Sequence, residues 1–279
     1  MEIREYTPEE FLERYLDVLE QNEALHQLIL TNVFDDREKI GEGNFYLCLE
    51  EYGPKWFVCN HLPFSLLVFP ADPAHRYKEE ECASLLAGKL LSENRTITGI
   101  QSTPAFAERF LKEWGLSARK DLVMDVMVCK KAVLFPGEGI LRKADEKDID
   151  VLTEMAISFY EEALHETKEK EELKENLLRK LSLPETDIFL CETEGRPAGM
   201  CASTRKLPHG RSVNYVYIEK PLRGKGYAKQ MVSKVTADYL EDNRYVTLYV
   251  DTANPVSNRV YTDIGYEYTA RVVNYRFVR

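Results

Sequence analysis

The sequence has no apolar run approaching the roughly 20 residues that a membrane-spanning helix requires. A typical apolar stretch, Ser65-Leu66-Leu67-Val68-Phe69, is far too short. The N-terminal segment, Met1-Glu2-Ile3-Arg4-Glu5, is charged and lacks the apolar core of a secretory signal. We therefore expect a cytoplasmic protein that binds no membrane.

Paired cysteine motifs are missing as well. The six cysteines never occur at the C-x-x-C spacing of a zinc or redox site, and most lie in apolar runs. They are Cys48, Cys59, Cys82, Cys129, Cys191 and Cys201. This distribution is typical of buried, reduced thiols and not of metal ligands or a disulfide framework. The histidines are scattered too, so the sequence predicts no metal site.

The chain also lacks an excess of positive charge, since its formal net charge is -10 and its pI is near 5.2. Phosphate contacts need a basic surface, so this balance argues against general binding of nucleic acid. A content of 44% apolar and 30% charged residues is typical of a globular protein with a buried core. At roughly 100 to 200 residues per domain, 279 residues predict two domains.

Helix and strand patterns follow one another clearly in the first half. Thr7-Pro8-Glu9-Glu10 combines an N-cap, a proline at the first helical position and a capping-box glutamate, so it predicts a helix start. The predicted helices are 8–19, 23–32, 83–91 and one from 104, and the predicted strands are 45–50, 56–60, 64–69, 96–100 and 122–133. The first three of these strands are expected to form an antiparallel meander.

A proline and two glycines in 134–139 indicate a linker, which divides the chain into predicted domains 1–134 and 135–279. In the second half, the predicted strands are 140–143, 188–192, 198–204, 213–218, 245–250 and 271–278, and the predicted helices are 147–160, 168–181, 228–240 and 256–264. Both halves show the same order of elements. We interpret this order as a diverged internal repeat.

The strongest local signal is Arg223-Gly224-Lys225-Gly226-Tyr227-Ala228, which lies between a predicted strand and a predicted helix. Backbone N–H groups at a helix start lack intrahelical partners, and glycines allow a ligand to approach them. The helix dipole and the two cations add positive potential, which favours binding of a pyrophosphate. The alternative is a plain turn with a solvated Arg/Lys pair. A mononucleotide P-loop is excluded because Ser or Thr does not follow Gly-Lys, and a Rossmann site fits poorly because the preceding strands form hairpins.

Two motifs in this order resemble the GNAT superfamily of N-acetyltransferases. Arg223, Gly226 and Ala228 match its signature of Arg or Gln, two residues, Gly, one residue, then Gly or Ala. Downstream, the segment from Asn254 to Tyr266 resembles the second motif, with an Asn before a helix, a Tyr, then Gly and an aromatic residue. The resemblance covers 139–279, and the two-domain arrangement is similar to the subgroup related to glycine N-acyltransferases.

The resemblance implies a mixed α/β fold, with a catalytic GNAT domain at 135–279 and a degenerate GNAT-like domain at 1–134. It also implies a V-shaped sheet in which strands 213–218 and 245–250 diverge around the thioester of acetyl-CoA, with no metal. The implied cofactor-binding residues are Val216, Tyr217 and Ile218 for the pantetheine arm, Arg223, Gly224, Lys225, Gly226, Tyr227 and Ala228 for the pyrophosphate, and Asn254 and Asn258 for the amide portion.

Tyr261 is implied as the group that donates a proton to the departing CoA thiolate. The alternative for this residue is core packing, because Val260, Tyr261 and Ile264 lie at helical spacing. A general base stays unassigned. The candidates by position are Glu219, Asp251 and His165.

The resemblance therefore predicts transfer of an acetyl group from acetyl-CoA to a primary amine of a small molecule or peptide by direct attack. One alternative is a non-catalytic CoA-binding sensor or interaction module. Another is aminoacyl transfer from charged tRNA, which would predict loss of the glycine loop and a basic channel, and the sequence shows neither. The acceptor, the acyl-chain length and the oligomeric state stay open at this point.

Overall fold

A computed structural model describes residues 1–278, whose contacts group them into two units. The first contains Met1–Val126 and the end of the chain from Thr269, and the second is Met127–Tyr268. The boundary between the two units thus follows Val126, whereas the sequence predicts a boundary after residue 134. The predicted domains 1–134 and 135–279 stay a prediction. Among the described residues, no helix has both the length and the apolar character needed to cross a bilayer.

Helices and strands are mixed along the described residues. The first ten elements are β1 (Glu2–Tyr6), α1 (Pro8–Gln21), α2 (Glu23–Asp35), β2 (Phe45–Glu50), β3 (Pro54–Asn60), β4 (Leu66–Pro70), α3 (Glu79–Ser92), β5 (Gly99–Ser102), α4 (Pro104–Trp114) and β6 (Ala118–Cys129). They are followed by β7 (Ile140–Lys143), α5 (Ile149–Ala163), α6 (Lys170–Ser182), β8 (Asp187–Thr193), β9 (Arg196–Ser203), β10 (Gly210–Ser212), β11 (Asn214–Ile218), α7 (Tyr227–Leu240), β12 (Tyr245–Asp251), α8 (Pro255–Ile264) and β13 (Glu267–Phe277). Two 3-10 turns, Glu146–Asp148 and Lys220–Leu222, precede α5 and α7.

The start of α1 shows how local chemistry sets an element. The Glu10 backbone N–H donates to Thr7 Oγ1 at 3.2 Å, and the Thr7 backbone N–H donates to Glu10 Oε2 at 2.9 Å. This reciprocal capping box satisfies two N–H groups that would otherwise lack partners. It confirms the predicted helix start.

The first unit contains a mixed sheet with helices packed against it. Strands β1 to β4 pair antiparallel in sequence order, β5 joins β4 in parallel, and β13 pairs antiparallel with β5. The predicted meander is confirmed. Strand β1 was not predicted, and β5 begins three residues later than the strand predicted at 96–100. In the core of the first unit, Trp56, Leu86 and Phe106 lie in one buried cluster.

The second unit has a four-stranded antiparallel sheet in the order β11-β9-β8-β7, and strands β10 and β12 pair in parallel apart from it. Successive residues of β9 alternate between two cores. Cys201 packs in the core that includes residues of α7 and α8, whereas Met200 and Ala202 pack in the core that includes residues of α5 and α6. We call these the α7–α8 face and the α5–α6 face. The mixed α/β fold class predicted from the sequence is confirmed.

Candidate functional site

At Val213 the chain leaves the strand pair β10–β12 and enters the four-stranded sheet that contains β11. Residues of β10 pair in parallel with β12, from Gly210 opposite Tyr245 to Ser212 opposite Thr247. The Val213 backbone N–H donates to the Thr247 carbonyl at 2.8 Å, and from Asn214 onward the chain pairs with β9 instead. Beyond Val213, strands β11 and β12 therefore lie in different sheets. The strand predicted at 213–218 corresponds to β11, and the short strand β10 before it was not predicted. The divergence that the resemblance implies begins at the junction of these two strands.

Strand β11 is the outermost strand of its sheet, since β9 is its only neighbour there. An edge strand leaves backbone N–H and C=O groups on its free side that can pair with an extended ligand. This strand contains Val216, Tyr217 and Ile218, the residues predicted to pair with the pantetheine arm. Its pairing with β9 shifts register between Asn214 and Tyr217, and Tyr215 within that irregularity has a positive φ of 51°.

The glycine loop connects β11 to α7. Gly224 and Gly226 have φ values of 77° and 88°, a left-handed conformation that glycine adopts without steric cost. Gly226 caps α7 with no side-chain hydrogen bond, and the backbone N–H groups of 224–226 donate to no group in the described part of the chain. A Cβ atom on either glycine would meet nothing within 4 Å, so the space beside these N–H groups is open. The loop therefore fits an anion such as a pyrophosphate.

The two loop cations have different environments. Arg223 Nε donates to the Ile218 carbonyl at 2.8 Å, and its Nη1 donates to Glu162 Oε2 of α5, also at 2.8 Å. Glu162 raises the pKa of Arg223 above its ordinary value. Lys225 is exposed and forms no ion pair with the residues that the structure describes. Arg223 thus holds the loop in place, and Lys225 is the cation available to a ligand.

The first two residues of α7 contribute backbone groups and packing. The buried Tyr227 shares a hydrogen bond of 3.0 Å between its hydroxyl and Thr193 Oγ1. Ala228 packs against the core of the α7–α8 face. Both sit in the first turn of the helix, where backbone N–H groups have no intrahelical acceptor.

Tyr261 lies on α8 and is 7% exposed. It packs in the core of the α7–α8 face together with Cys201 and Val250, a residue of the diverging strand β12. Its hydroxyl forms no hydrogen bond with any described residue. Burial, and secondarily the nearby Cys201, raise the pKa of the phenol well above its ordinary value. The phenol therefore stays protonated at neutral pH and can act as a proton donor.

The two predicted asparagines form the turn between β12 and α8. Asn254 Oδ1 accepts a hydrogen bond of 3.0 Å from the Ser257 N–H and so caps α8. Asn258 Nδ2 donates to the carbonyls of Asp251 and Asn254, at 3.0 and 2.8 Å. These side chains fix the local backbone. Their predicted contact with the cofactor stays a prediction.

The three candidates for the general base occupy separate positions. Glu219 is half-buried directly after β11, and its backbone N–H donates to Ala198. Asp251 ends β12 and accepts a 2.9 Å hydrogen bond from the Ala253 N–H. His165 is exposed after α5, with a positive φ of 54°. This geometry does not single out one of them, so the base stays unassigned.

A polar cluster on the α5–α6 face was not found from the sequence. Tyr160 and Tyr215 share a hydrogen bond of 2.7 Å between their hydroxyls, and Lys180 Nζ donates to the Tyr215 hydroxyl at 2.9 Å. The three residues come from α5, α6 and β11. The only signal in the sequence was the aromatic pair in Tyr215-Val216-Tyr217, which is equally typical of a strand with a packed face.

The first unit repeats the element order of the second without its gap. Strand β4 pairs with β3 through Leu67–Pro70 and with β5 through Leu66–Val68, so Leu67 and Val68 have strand partners on both sides. Helix α3 begins after Lys78, without a glycine loop. Leu111 lies four residues before Gly115, as Tyr261 lies four residues before Gly265, and it packs against the first unit's core. That residues 1–134 form a degenerate GNAT-like domain stays a prediction.

Comparisons with known proteins add independent findings. The model of the "Acetyltransferase (GNAT) family" matches residues 149–266. Among curated proteins, none matches the chain in sequence.

Solved structures resemble the chain along its whole length. A GNAT-family acetyltransferase from Colwellia psychrerythraea has a TM-score of 0.58 and 12% identity, covering 100% of both chains. A GCN5-related N-acetyltransferase from Sphaerobacter thermophilus has a TM-score of 0.63 and 17% identity, covering 99% of this chain and 94% of the other. A Drosophila protein has a TM-score of 0.64 and 13% identity, covering 99% and 98%. At these identities the likeness shows the fold.

The predicted relation to the glycine N-acyltransferase subgroup stays a prediction. The matched segment contains the diverging strands, the glycine loop and Tyr261. Residues 149–266 thus form a domain of the GNAT acetyltransferase family.

Proposed function

We propose that the protein transfers an acetyl group from acetyl-CoA to a primary amine by direct attack. One observation carries the proposal. Strands β11 and β12 part at Val213, the glycine loop follows β11, and Tyr261 packs in one core with Val250 of β12. An edge strand, unpartnered N–H groups and a proton donor are the three features that binding and cleaving an acyl-CoA thioester would use.

The neutral amine nitrogen attacks the thioester carbonyl carbon, so a C–N bond forms and the C–S bond breaks. The departing thiolate takes the phenolic proton of Tyr261, and the excess proton on the new amide nitrogen leaves to a base or to water. Tyr261 then recovers its proton from solvent. Because burial raises the pKa of this phenol, it holds the proton until a thiolate develops beside it.

Binding of the cofactor's phosphates is the first element to test. We would measure by calorimetry the affinity for acetyl-CoA and for S-acetylpantetheine, which lacks the pyrophosphate. The Lys225→Glu variant reverses an exposed charge that makes no ion pair in the described structure, so folding should not suffer. Lys147→Glu makes the same charge change at another exposed lysine, in the turn before α5, and serves as the control.

We expect Lys225→Glu to weaken acetyl-CoA binding about tenfold or more, because a charge-assisted contact is lost and a repulsion is added. Binding of S-acetylpantetheine should not change, and the control should behave as wild type. If both variants weaken acetyl-CoA binding equally, the phosphates of the cofactor do not bind at Lys225. If the folded wild type does not bind acetyl-CoA, the proposed acetyltransferase activity is refuted. Binding without acetylation of any amine in a broad panel would favour the non-catalytic CoA sensor.

A further inference from the structure

Gln230 of α7 binds both backbone groups of Gly139, the residue directly before β7. The Gly139 N–H donates to Gln230 Oε1 at 3.0 Å, and Gln230 Nε2 donates to the Gly139 carbonyl at 2.7 Å. Three residues further along α7, on the same side of the helix, Ser233 Oγ accepts a hydrogen bond of 3.1 Å from the Phe135 N–H. We call residues 135–139 the strap. Two side chains of α7 thus hold the strap against the helix.

The strap lies so close to Gln230 that its two glycines are needed. A Cβ atom on Gly137 would lie 2.3 Å from Gln230 Oε1, and one on Gly139 would lie 2.5 Å from Cys191 Sγ of β8. From the sequence alone, these glycines indicated a linker. In the structure they allow the backbone of the strap to approach a side chain of α7.

Gln230 also takes part in the first turn of α7, which follows the glycine loop. Its backbone N–H donates to the Gly226 carbonyl at 2.9 Å. Tyr227 lies beside the strap, since a Cβ atom on Gly139 would lie 3.3 Å from Tyr227 Cδ1. The Tyr227 hydroxyl shares its hydrogen bond of 3.0 Å with Thr193, the last residue of β8. The strap and β8 therefore both contact the turn that begins at the loop.

No side chain caps this turn. Helix α1 begins with the Thr7 capping box and α8 with the Asn254 cap, whereas Gly226 caps α7 without a side-chain hydrogen bond. A capping side chain would occupy backbone N–H groups that a phosphate needs, because both bind at the start of the helix. Contacts outside the loop can stabilise the turn and still leave these N–H groups open to a ligand.

We infer that Gln230 is a positioning residue for binding of the cofactor's pyrophosphate. By holding Gly139, it keeps the first turn of α7 and the open N–H groups of 224–226 arranged before the ligand arrives. Preorganised groups bind a ligand more tightly because binding does not have to order them. This inference rests on the proposed function. It assigns Gln230 no part in the chemical step.

The first test removes the two hydrogen bonds to Gly139. Gln230→Met loses both of them but keeps the length of the side chain and a high helix propensity. Its affinity for acetyl-CoA, measured by calorimetry, should fall about tenfold, the value of one or two hydrogen bonds. S-acetylpantetheine, which lacks the pyrophosphate, should bind wild type and variant equally.

Gln21→Met makes the same change at an exposed position, the last residue of α1, and serves as the control. It should bind both ligands as wild type does. Equal affinity of wild type and Gln230→Met for acetyl-CoA would overturn the inference. An equal loss of affinity for both ligands would overturn it too, because the pyrophosphate would then not be the group affected.

Steady-state kinetics gives a second readout, which a general loss of structure would not produce. For an amine that the wild type acetylates, Gln230→Met should raise KM for acetyl-CoA about tenfold and change kcat by less than about twofold, because only cofactor binding is affected. A lower kcat with an unchanged KM would contradict the inference.

Hydrogen exchange at the backbone N–H of residue 230 reports on the first turn of α7 directly. The bond to the Gly226 carbonyl should protect this N–H in the ligand-free wild type. In Gln230→Met, exchange without ligand should be about tenfold faster, and acetyl-CoA should restore the protection. Equally slow exchange in both ligand-free proteins would show that Gln230 does not hold the turn.

Failure of this inference can be told apart from failure of the proposed function. If the folded wild type does not bind acetyl-CoA, the proposed function fails. If the wild type binds it and Gln230→Met binds it equally well, the inference fails alone. Urea unfolding checks that the variant is folded. If it is not, Gln230→Asn, whose amide is one methylene shorter, replaces it in the same measurements.

Discussion

Arg223 and Glu162 form an ion pair between the glycine loop and α5, with 2.8 Å between Nη1 and Oε2. The same guanidinium donates through Nε to the Ile218 carbonyl at 2.8 Å. Exposed ion pairs contribute little to stability on their own. Here the pair orients a side chain whose other hydrogen bond joins the loop to the end of β11, so its role is to position the loop.

Arg223→Met should weaken binding of acetyl-CoA about tenfold, because it removes both the carbonyl anchor and a positive charge. Glu162→Gln keeps the anchor and should have a smaller effect. Calorimetry on both variants checks the order. A larger loss in Glu162→Gln would show that the ion pair, and not the bond to Ile218, holds the loop.

Tyr261→Phe should lower the rate of the chemical step by about 10²-fold or more and leave acetyl-CoA binding unchanged, because it removes only the proposed proton donor. Single-turnover kinetics measures that step directly. Since the hydroxyl has no hydrogen bond with a described residue, the free energy of unfolding should change little.

Tyr266→Phe is the matched control in the same core, where the Tyr266 and Tyr261 rings lie 5.9 Å apart. The Tyr266 hydroxyl shares a hydrogen bond of 2.7 Å with Thr236 Oγ1. Its loss should cost about 1 kcal/mol of stability without slowing the chemical step. If Tyr261→Phe and Tyr266→Phe have the same rate for the chemical step, Tyr261 is a packing residue and not the proton donor.

Gly199→Ala should destabilise the second unit by about 1 to 3 kcal/mol. Its Cβ would lie 2.4 Å from the Tyr217 carbonyl oxygen, so β11 would have to move away from β9. Gly88→Ala in α3 is the contrasting change, because its Cβ would meet nothing within 4 Å, and it should stabilise by about 0.5 to 1 kcal/mol. Urea unfolding measures both, and a neutral Gly199→Ala would mean that the two strands separate easily.

His26 should make the stability of the first unit depend on pH. The ring is fully buried, with Nδ1 3.1 Å from the Leu19 carbonyl and Nε2 2.9 Å from the Pro70 carbonyl. Burial lowers its folded-state pKa below the ordinary value of 6.5, and the two carbonyls only partly oppose this. The unfolded state then binds the proton first, so stability is full above pH 6.5 and falls as the pH drops through and below it.

Urea unfolding between about pH 7.5 and about pH 5.5 measures this slope. The slope should be smaller in His26→Gln and unchanged in His75→Gln, because His75 is exposed. If His26→Gln does not fold, an NMR titration of the imidazole in the wild type gives the pKa directly. A folded-state pKa above 6.5 would contradict the prediction.

The structure also shows which parts of the fold a sequence cannot predict. The C-terminal strand was expected to complete the second domain, but its residues from Thr269 group with the first unit. β1 and β10 were missed, because their residues show no clear alternation and their stability comes from partners far along the chain. Ile3 pairs with Leu49, and Gly210 pairs with Tyr245.

By itself, the sequence determined what depends on near neighbours. Helical spacing and caps gave most helices within a few residues, and the glycines and cations of the loop gave the anion-binding expectation at the start of α7. Only the tertiary structure decided where the chain leaves one set of strands for another, at Val213. It alone brought Lys180 to Tyr215, because those side chains meet only once α6 packs against the sheet. Helix caps, helical spacing and the glycine loop depend on residues adjacent in the sequence. A gap between strands depends on hydrogen bonds to residues far along the chain.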